Sequence, residues 1–301
     1  MTSHEERLMP PPSFLRFSRS ELGLVGVTMA WGLTFVVIRL ALSATGPLFF
    51  VGTRFAVSVG IIALLSRRVL RGMTAHELFA GALIGVSIFA GYVLQTWGMQ
   101  FITASKSAFI TAFYVPAVPI LQWLVMKKPP HYMAWLGILA AFAGLALMAG
   151  PDGVSTGFGK GETATLFSAL AFAAEILLIG RFAGNVDVRR VTIVQLAVAS
   201  ALAFAAMPLA GESVPVFSWL LAGCVCGLGL ASAVIQSVMN WAQRSVTPTR
   251  ATVIYAGEPV WAGIFGRMAG ERLPPAAIIG GALIVLGVLI SELRPGRKRK
   301  K

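Results

Sequence analysis

The strongest constraint on this chain is a succession of apolar runs, each about as long as the hydrocarbon core of a bilayer is thick. Crossing ~30 Å at 1.5 Å per helical residue takes ~20 residues. Ten stretches meet that length, at approximately 22–42, 47–66, 78–101, 106–126, 132–149, 162–181, 191–209, 216–241, 250–268 and 275–292. Charged residues make up only 12% of the sequence, about half the share usual in soluble proteins, and they gather between the runs. Lipid offers backbone groups no partners, so a run that crosses it must close its hydrogen bonds internally as a helix. The sequence therefore predicts an all-α polytopic membrane protein with ten transmembrane helices.

Several functions are disfavoured at once. The opening MTSHEERLMPPPSFLRFSRS holds acids and a proline triplet and has no apolar core, so it does not read as a cleaved signal peptide. Cys224 and Cys226 lie two apart, on helix faces roughly 200° apart, too divergent to bridge and best read as packing residues. His4, His76 and His131 fall outside the runs, and no run contains an aspartate. With no metal cluster, no nucleophile–base pair and no ATP-binding motif, the sequence argues against an enzyme and against a bound cofactor.

Orientation follows from the basic residues. With the N-terminus in the cytoplasm, nineteen of the 25 Lys/Arg fall in cytoplasmic segments, including Arg67, Arg68, Arg189, Arg190 and the terminal RPGRKRKK. Only Lys106, Lys160, Arg267 and Arg272 fall on the other side, and Arg39 and Arg54 lie within spans. Both termini are thus expected in the cytoplasm, in a plasma membrane of the bacterial inner-membrane kind. The net charge of +13 reflects topology and contact with anionic lipid, and nucleic acid is not an expected partner.

The glycine-rich break PDGVSTGFGKG at 151–161 divides the chain near its middle. Sliding the second half back by 143 positions aligns Pro116 with Pro259, Gly137 with Gly280, Gly144 with Gly287, Ala108 with Ala251 and Gln100 with Gln243. The runs correspond at the same offset. Residues 1–150 hold the N-terminal tail and one five-helix repeat; residues 151–301 hold a linker, a second repeat and the basic C-terminal tail. Five spans is an odd number, so the two repeats must cross the membrane in opposite senses. Inverted repeats of this kind build many secondary transporters, with the solute site near the midplane between the halves.

Short motifs fall in a telling order: Trp31-Gly32 then Phe35, Thr53-Arg54-Phe55, Ala104-Ser105-Lys106, Glu258-Pro259, Gly270-Glu271-Arg272, and the helix of Gly280 and Gly287. In these the chain resembles, over nearly its whole length, the EamA branch of the drug/metabolite transporter superfamily. One departure is Lys127-Lys128 where the second half has Gly270-Glu271; the family usually carries glycine-glutamate in both halves. The resemblance implies a ten-helix basket around a central cavity, carrying small metabolites, with amino acids the substrates most often associated with relatives.

Candidate site residues are the polar groups that apolar runs do not tolerate without cause. Tyr255, Glu258 and Ala262 share a helical face. Pro259 lacks an N–H and crowds the residue four back, so the Tyr255 carbonyl is expected to lose its helical donor. An acid beside a free carbonyl suits an ammonium group. Pro116 is expected to release the Ala112 carbonyl in the same way, and Pro119 that of Val115. Intramembrane acids face cavities or partners, so Glu258 either handles solute or protons, or ties helices together. Glu175 in FSALAFAAEILLIG has the same two readings, with Arg39 or Arg54 as its structural partner. Arg54 itself reads first as an anchor for carbonyls.

Ser232, Gln236, Asn240 and Gln243 form a polar stripe at spacings of four, four and three, which must face protein or a wet cavity. Tyr92, Gln95 and Met99 repeat that spacing, and Trp31, Tyr114 and Trp241 add aromatic surface. Trp97, Trp123 and Trp241 also suit the interfacial belt, whereas Trp31 lies about ten residues into its run. Gly81/Gly85, Gly223/Gly227 and Gly266/Gly270 read as helix-packing pairs. Taken together, the residues suit an exporter of amino acids or related metabolites, with Trp31, Tyr92, Gln95, Tyr114, Glu175, Gln236, Asn240, Tyr255 and Glu258 at the solute site. Pro116 and Pro259 are the expected kinks, protons are the candidate coupling ion, and a monomer or weak dimer is expected. Export of lipophilic cations is the rival reading, with a membrane sensor or lipid-handling protein behind it.

Overall fold

The computed structural model describes residues 18–127, 159–272 and 275–292, with scattered positions between 132 and 147. Every regular element among them is helical: α1 Arg19–Ala41, α2 Pro47–Leu65, α3 Ala75–Gly98, α4 Ala104–Thr111, α5 Tyr114–Met126, α6 Lys160–Phe182, α7 Val188–Ala206, α8 Trp219–Ala242, α9 Pro248–Tyr255, α10 Glu258–Met268 and α11 Pro275–Glu292. Seven helical stretches are long and apolar enough to cross a membrane, the segment Ala104–Val125 counting as one across the gap between α4 and α5. The run expected at 132–149 is described only at scattered positions, and the basic C-terminal tail lies outside the described residues.

Local chemistry explains where the helices begin. Ser18 and Glu21 form a reciprocal capping box at α1, and Thr74 and Glu77 another at α3, each satisfying donors that a helix start leaves unpaired. Asp187 accepts from the N–H groups of Arg189 and Arg190 to start α7.

The helix order repeats. Residues α1 to α5 recur as α6 to α10 at offsets of 141 to 144, as subtraction of their first residues shows. The repeat extends to the backbone: Lys127 and Gly270, 143 apart, are both in the left-handed region, at φ 54° and 90°. Glycine enters that region without steric cost, and lysine does not. The Lys127 position thus keeps the second half's backbone while departing from its residue type.

Pro116 and Pro259 each stand just past a break in a helix. Each span is interrupted outright, between Thr111 and Tyr114 and between Tyr255 and Glu258. Pro259 then stands in the first turn of α10, where its missing N–H costs nothing. The carbonyl of Ala112 is not released, because it accepts from Val115 N at 3.0 Å. The turn at the first break thus consumes a group that a kinked continuous helix would leave open, whereas the Tyr255 carbonyl at the second break meets a side-chain hydroxyl, that of Tyr114.

Packing runs mainly across the repeat. α3 lies against α6 and α7, α2 against α7 and α8, and α1 against α8 and α10. Small residues set the distances: a Cβ at Gly32 would stand 2.8 Å from Ala262 N, and one at Gly85 2.6 Å from the Gln195 carbonyl oxygen. Gly223 and Gly227, by contrast, meet nothing within 4 Å, so that pair is not a contact between described helices.

Ties at the helix ends also join the halves. Glu212 accepts from Leu48 N and Phe49 N at 3.1 and 2.6 Å. Glu271 accepts from Ala104 N, Ser105 N and Ser105 Oγ. Lys106 pairs with Glu162, Arg190 with Glu77 and Arg250 with Glu21. Large apolar side chains such as Leu22, Leu33, Leu40, Phe79 and Leu230 point outward, while Arg54, Glu175, Gln195, Gln236 and Glu258 are buried. That inversion of a soluble protein's pattern is what a lipid surround requires.

Candidate functional site

The interior polar groups converge where the halves meet. A small chamber is walled by Trp31, Thr34 and Phe35 of α1, Tyr92 and Gln95 of α3, Thr111 of α4 and Tyr114 of α5. Phe172, Glu175 and Ile176 of α6, Met239 of α8 and Glu258 of α10 complete it. Six of the nine residues singled out in the sequence are therefore on its wall. The space left for the centre of a water-sized sphere is ≈ 20 Å³, about enough for one water. As it stands the chamber has no room for anything much larger than water.

Glu258 occupies the first turn of α10, where the helix dipole favours negative charge. Its Oε2 accepts from Tyr114 Oη at 2.9 Å, and the same hydroxyl lies 3.1 Å from the Tyr255 carbonyl oxygen. The interruption in the second half thus offers an acid and a carbonyl, and the interruption in the first half offers the phenol between them. A hydroxyl has one proton to donate, so Tyr114 serves only one of these oxygens at a time and leaves the other open. Tyr255 is fully buried and packs edge-on to Trp31, ring centroids 5.0 Å apart. It backs the aromatic wall, and Gln243 Nε2 lies 3.4 Å from its hydroxyl.

Glu175 belongs to a second network. Gln236 Nε2 donates to Glu175 Oε1 at 2.9 Å, and Gln195 Nε2 donates to Gln236 Oε1 at 2.8 Å. Asn240 Nδ2 lies 3.3 Å from Gln195 Oε1, 3.2 Å from Thr192 Oγ1 and 2.9 Å from the Gln236 carbonyl. Gln236 and Asn240 are therefore placed behind the acid, engaged with α7, and are not on the chamber wall. Neither arginine pairs with Glu175: Arg39 donates to the Ile102 carbonyl at 2.6 Å, and Arg54 Nε donates to Ser232 Oγ at 2.6 Å.

Gln195 and Thr111 escaped the sequence reading. Thr111 Oγ1 accepts from Gln95 Nε2 at 3.1 Å, joining α3 to the first interruption. Gln195 carried a signal, a lone amide in VTIVQLAVAS, of the kind that marks an interior face.

The arrangement suits a small molecule with a cationic and an apolar part: two carboxyl groups among rings, with amides fixing their orientation. Among the described residues no group of three or more His, Cys, Asp or Glu could hold a metal ion.

Comparison with known proteins places the chain among membrane transporters. The EamA-like transporter family matches twice, over residues 18–150 and 159–293. An uncharacterized transporter of Archaeoglobus fulgidus is 32% identical over 279 residues, covering 91% of this chain and 86% of that protein. The uncharacterized inner membrane transporter YedA of Escherichia coli is 28% identical, covering 93% of each. A probable terminal-alkyne amino-acid exporter of Streptantibioticus cattleyicolor is 24% identical, covering 95% of this chain and 98% of its own length. A solved crystal structure shares the fold, with a TM-score of 0.67 at 19% identity, over 92% of this chain and 99% of that one. The chain is a multi-pass membrane protein built of two such repeats, and it belongs to the EamA-like transporter family.

Proposed function

We propose that this chain is a secondary exporter of amino acids or related small metabolites, working by alternating access. The observation that carries the reading is the narrow, acid-bearing chamber lined from both repeats. The similarity to a probable amino-acid exporter supports the substrate class. In this reading ten helices form two inverted five-helix repeats in a bacterial inner membrane, with both termini cytoplasmic. Glu258 and the Tyr255 carbonyl receive the ammonium group, Trp31 and Tyr92 face the side chain, and Gln95 and Thr111 supply hydrogen bonds. Glu175, held by Gln236, is the proton carrier that couples export to a gradient. The ties at the two ends of the halves would open alternately, each releasing one mouth of the chamber.

Counterflow tests the reading. Full-length protein in liposomes preloaded with unlabelled leucine or phenylalanine should accumulate the same labelled amino acid transiently above its outside level. An absence of overshoot for a full set of amino acids would sink it. The aromatic wall and two acids also favour a second reading, lipophilic-cation export, for which tetraphenylphosphonium would show the overshoot instead. Orientation is separable: a membrane-impermeant thiol reagent outside intact cells should label Ser155→Cys and spare Ser3→Cys.

A further inference from the structure

Among the described residues Arg54 is the buried charged side chain with the most donors left unpaired. It lies seven residues into α2 and is fully buried. Its Nε donates to Ser232 Oγ on α8, in the other half. Its Nη1 and Nη2 are buried with no hydrogen-bond partner among the described residues. A guanidinium has five N–H donors, and four of them here meet no acceptor. The carbonyl anchor expected of this residue is therefore not what it provides. Burying a cation without a counter-charge is costly, and two aromatic rings offset only part of it: the guanidinium carbon sits 5.0 Å from the Tyr92 ring centroid and 5.6 Å from that of Phe55.

The same Tyr92 ring lines the chamber. It is held edge-on between Phe55 and Phe172, each with its centroid 5.0 Å away. One ring thus packs against both the chamber and a forked cation whose outer donors are open. We infer that Arg54 is the carboxylate-binding residue of the transport site, reached when the Tyr92 ring turns aside as the chamber widens. Its two Nη groups match the two oxygens of a carboxylate in a bidentate pair, which a lysine ammonium would not reproduce. With Glu258 receiving the ammonium group, the site selects zwitterionic α-amino acids over simple amines. This rests on the amino-acid reading above and adds the anionic end of the ligand.

The test compares ligands that differ only in the carboxylate. Detergent-purified full-length protein is titrated with leucine and 3-methylbutylamine, and with phenylalanine and 2-phenylethylamine. The concentration giving half the maximal rise in melting temperature is read for each. The wild type should respond to the amino acid at a concentration at least tenfold lower than to its amine. Arg54→Gln should abolish that preference, and Arg54→Lys should recover only part of it. Should Arg54→Gln fold poorly, Tyr92→Ala decides: unblocking Arg54 should sharpen the preference for the carboxylate threefold or more. A preference that survives Arg54→Gln, or that Tyr92→Ala leaves unchanged, overturns the assignment. A wild type that prefers the amines also overturns it, while counterflow of those cations would leave transport itself standing.

Discussion

The two span interruptions are built on one backbone plan and carry different chemistry. Thr111 to Tyr114 and Tyr255 to Glu258 each end an eight-residue helix and start a second. At the offset of 143, Val115 stands in the first half where Glu258 stands in the second. One interruption supplies an acid and a carbonyl; the other supplies Tyr114, whose hydroxyl reaches both. The duplicated backbone gives a paired break in the helices, and divergence of a few side chains makes the two breaks chemically unequal. The lesson is that a repeat can conserve where the chain breaks without conserving what the break displays.

Removing the acid should have the largest effect. Glu258→Gln retains the size and most hydrogen bonding of the side chain, and it should lower per-molecule counterflow tenfold or more. That loss corresponds to ~1.4 kcal/mol of differential binding. Melting temperature should stay within a few degrees. Tyr114→Phe, on the opposite side of the same contact, should cost about three- to tenfold, because it removes a single shared donor. If Val115→Glu in a Glu258→Gln background restored transport fully, the two breaks would be interchangeable and the asymmetry irrelevant.

The second network should respond in both stability and transport. Gln236→Leu removes the amide between Glu175 and Gln195, leaving buried polar groups unpaired at ~1–3 kcal/mol each. Asn240→Leu, farther from Glu175, should lower the melting temperature by less and leave counterflow within about twofold. Equal effects from the two would mean that the stripe serves only to bind helices together.

Smaller effects belong to the backbone itself. Pro259→Ala restores an N–H at a helix start that does not need one, so counterflow should slow no more than about twofold and the protein should not lose stability. The left-handed pair sharpens the comparison most gently. Gly270→Ala should destabilise by ~1–2 kcal/mol and Lys127→Gly should stabilise by up to ~1 kcal/mol, read as opposite shifts in melting temperature. Shifts of the same sign would show that the two positions do not share a backbone role.

Much of the fold was legible in the sequence because lipid forces a length and a polarity on each crossing. The repeat was legible through prolines and glycines, which mark backbone geometry. What those prolines do was not: period and proline chemistry suggest kinks, whereas short turns at 112–113 and 256–257 need tertiary partners such as the Tyr114 hydroxyl to be worthwhile. Trp31, Tyr92, Gln95, Tyr114, Glu175 and Glu258 stood out as misfits in apolar runs, and misfits in a membrane collect on the interior. Gln195 stood out less, since its partners Gln236 and Asn240 lie 41 and 45 residues away. The end ties were invisible for the same reason. Glu271 and Ala104 are 167 residues apart, and nothing local to either predicts the contact.

On the proposed function, solute should occupy the chamber between the two interruptions. Thr34 lines that chamber, while Cys226 is exposed on the outer surface of α8 and serves as a control within the same molecule. The rate of N-ethylmaleimide modification at each sulfur of the Thr34→Cys protein, read by mass spectrometry with and without saturating leucine or phenylalanine, tests that occupancy. The amino acid should slow modification at position 34 at least fivefold and leave Cys226 unchanged. Equal rates at position 34 with and without every solute that the protein carries would contradict it.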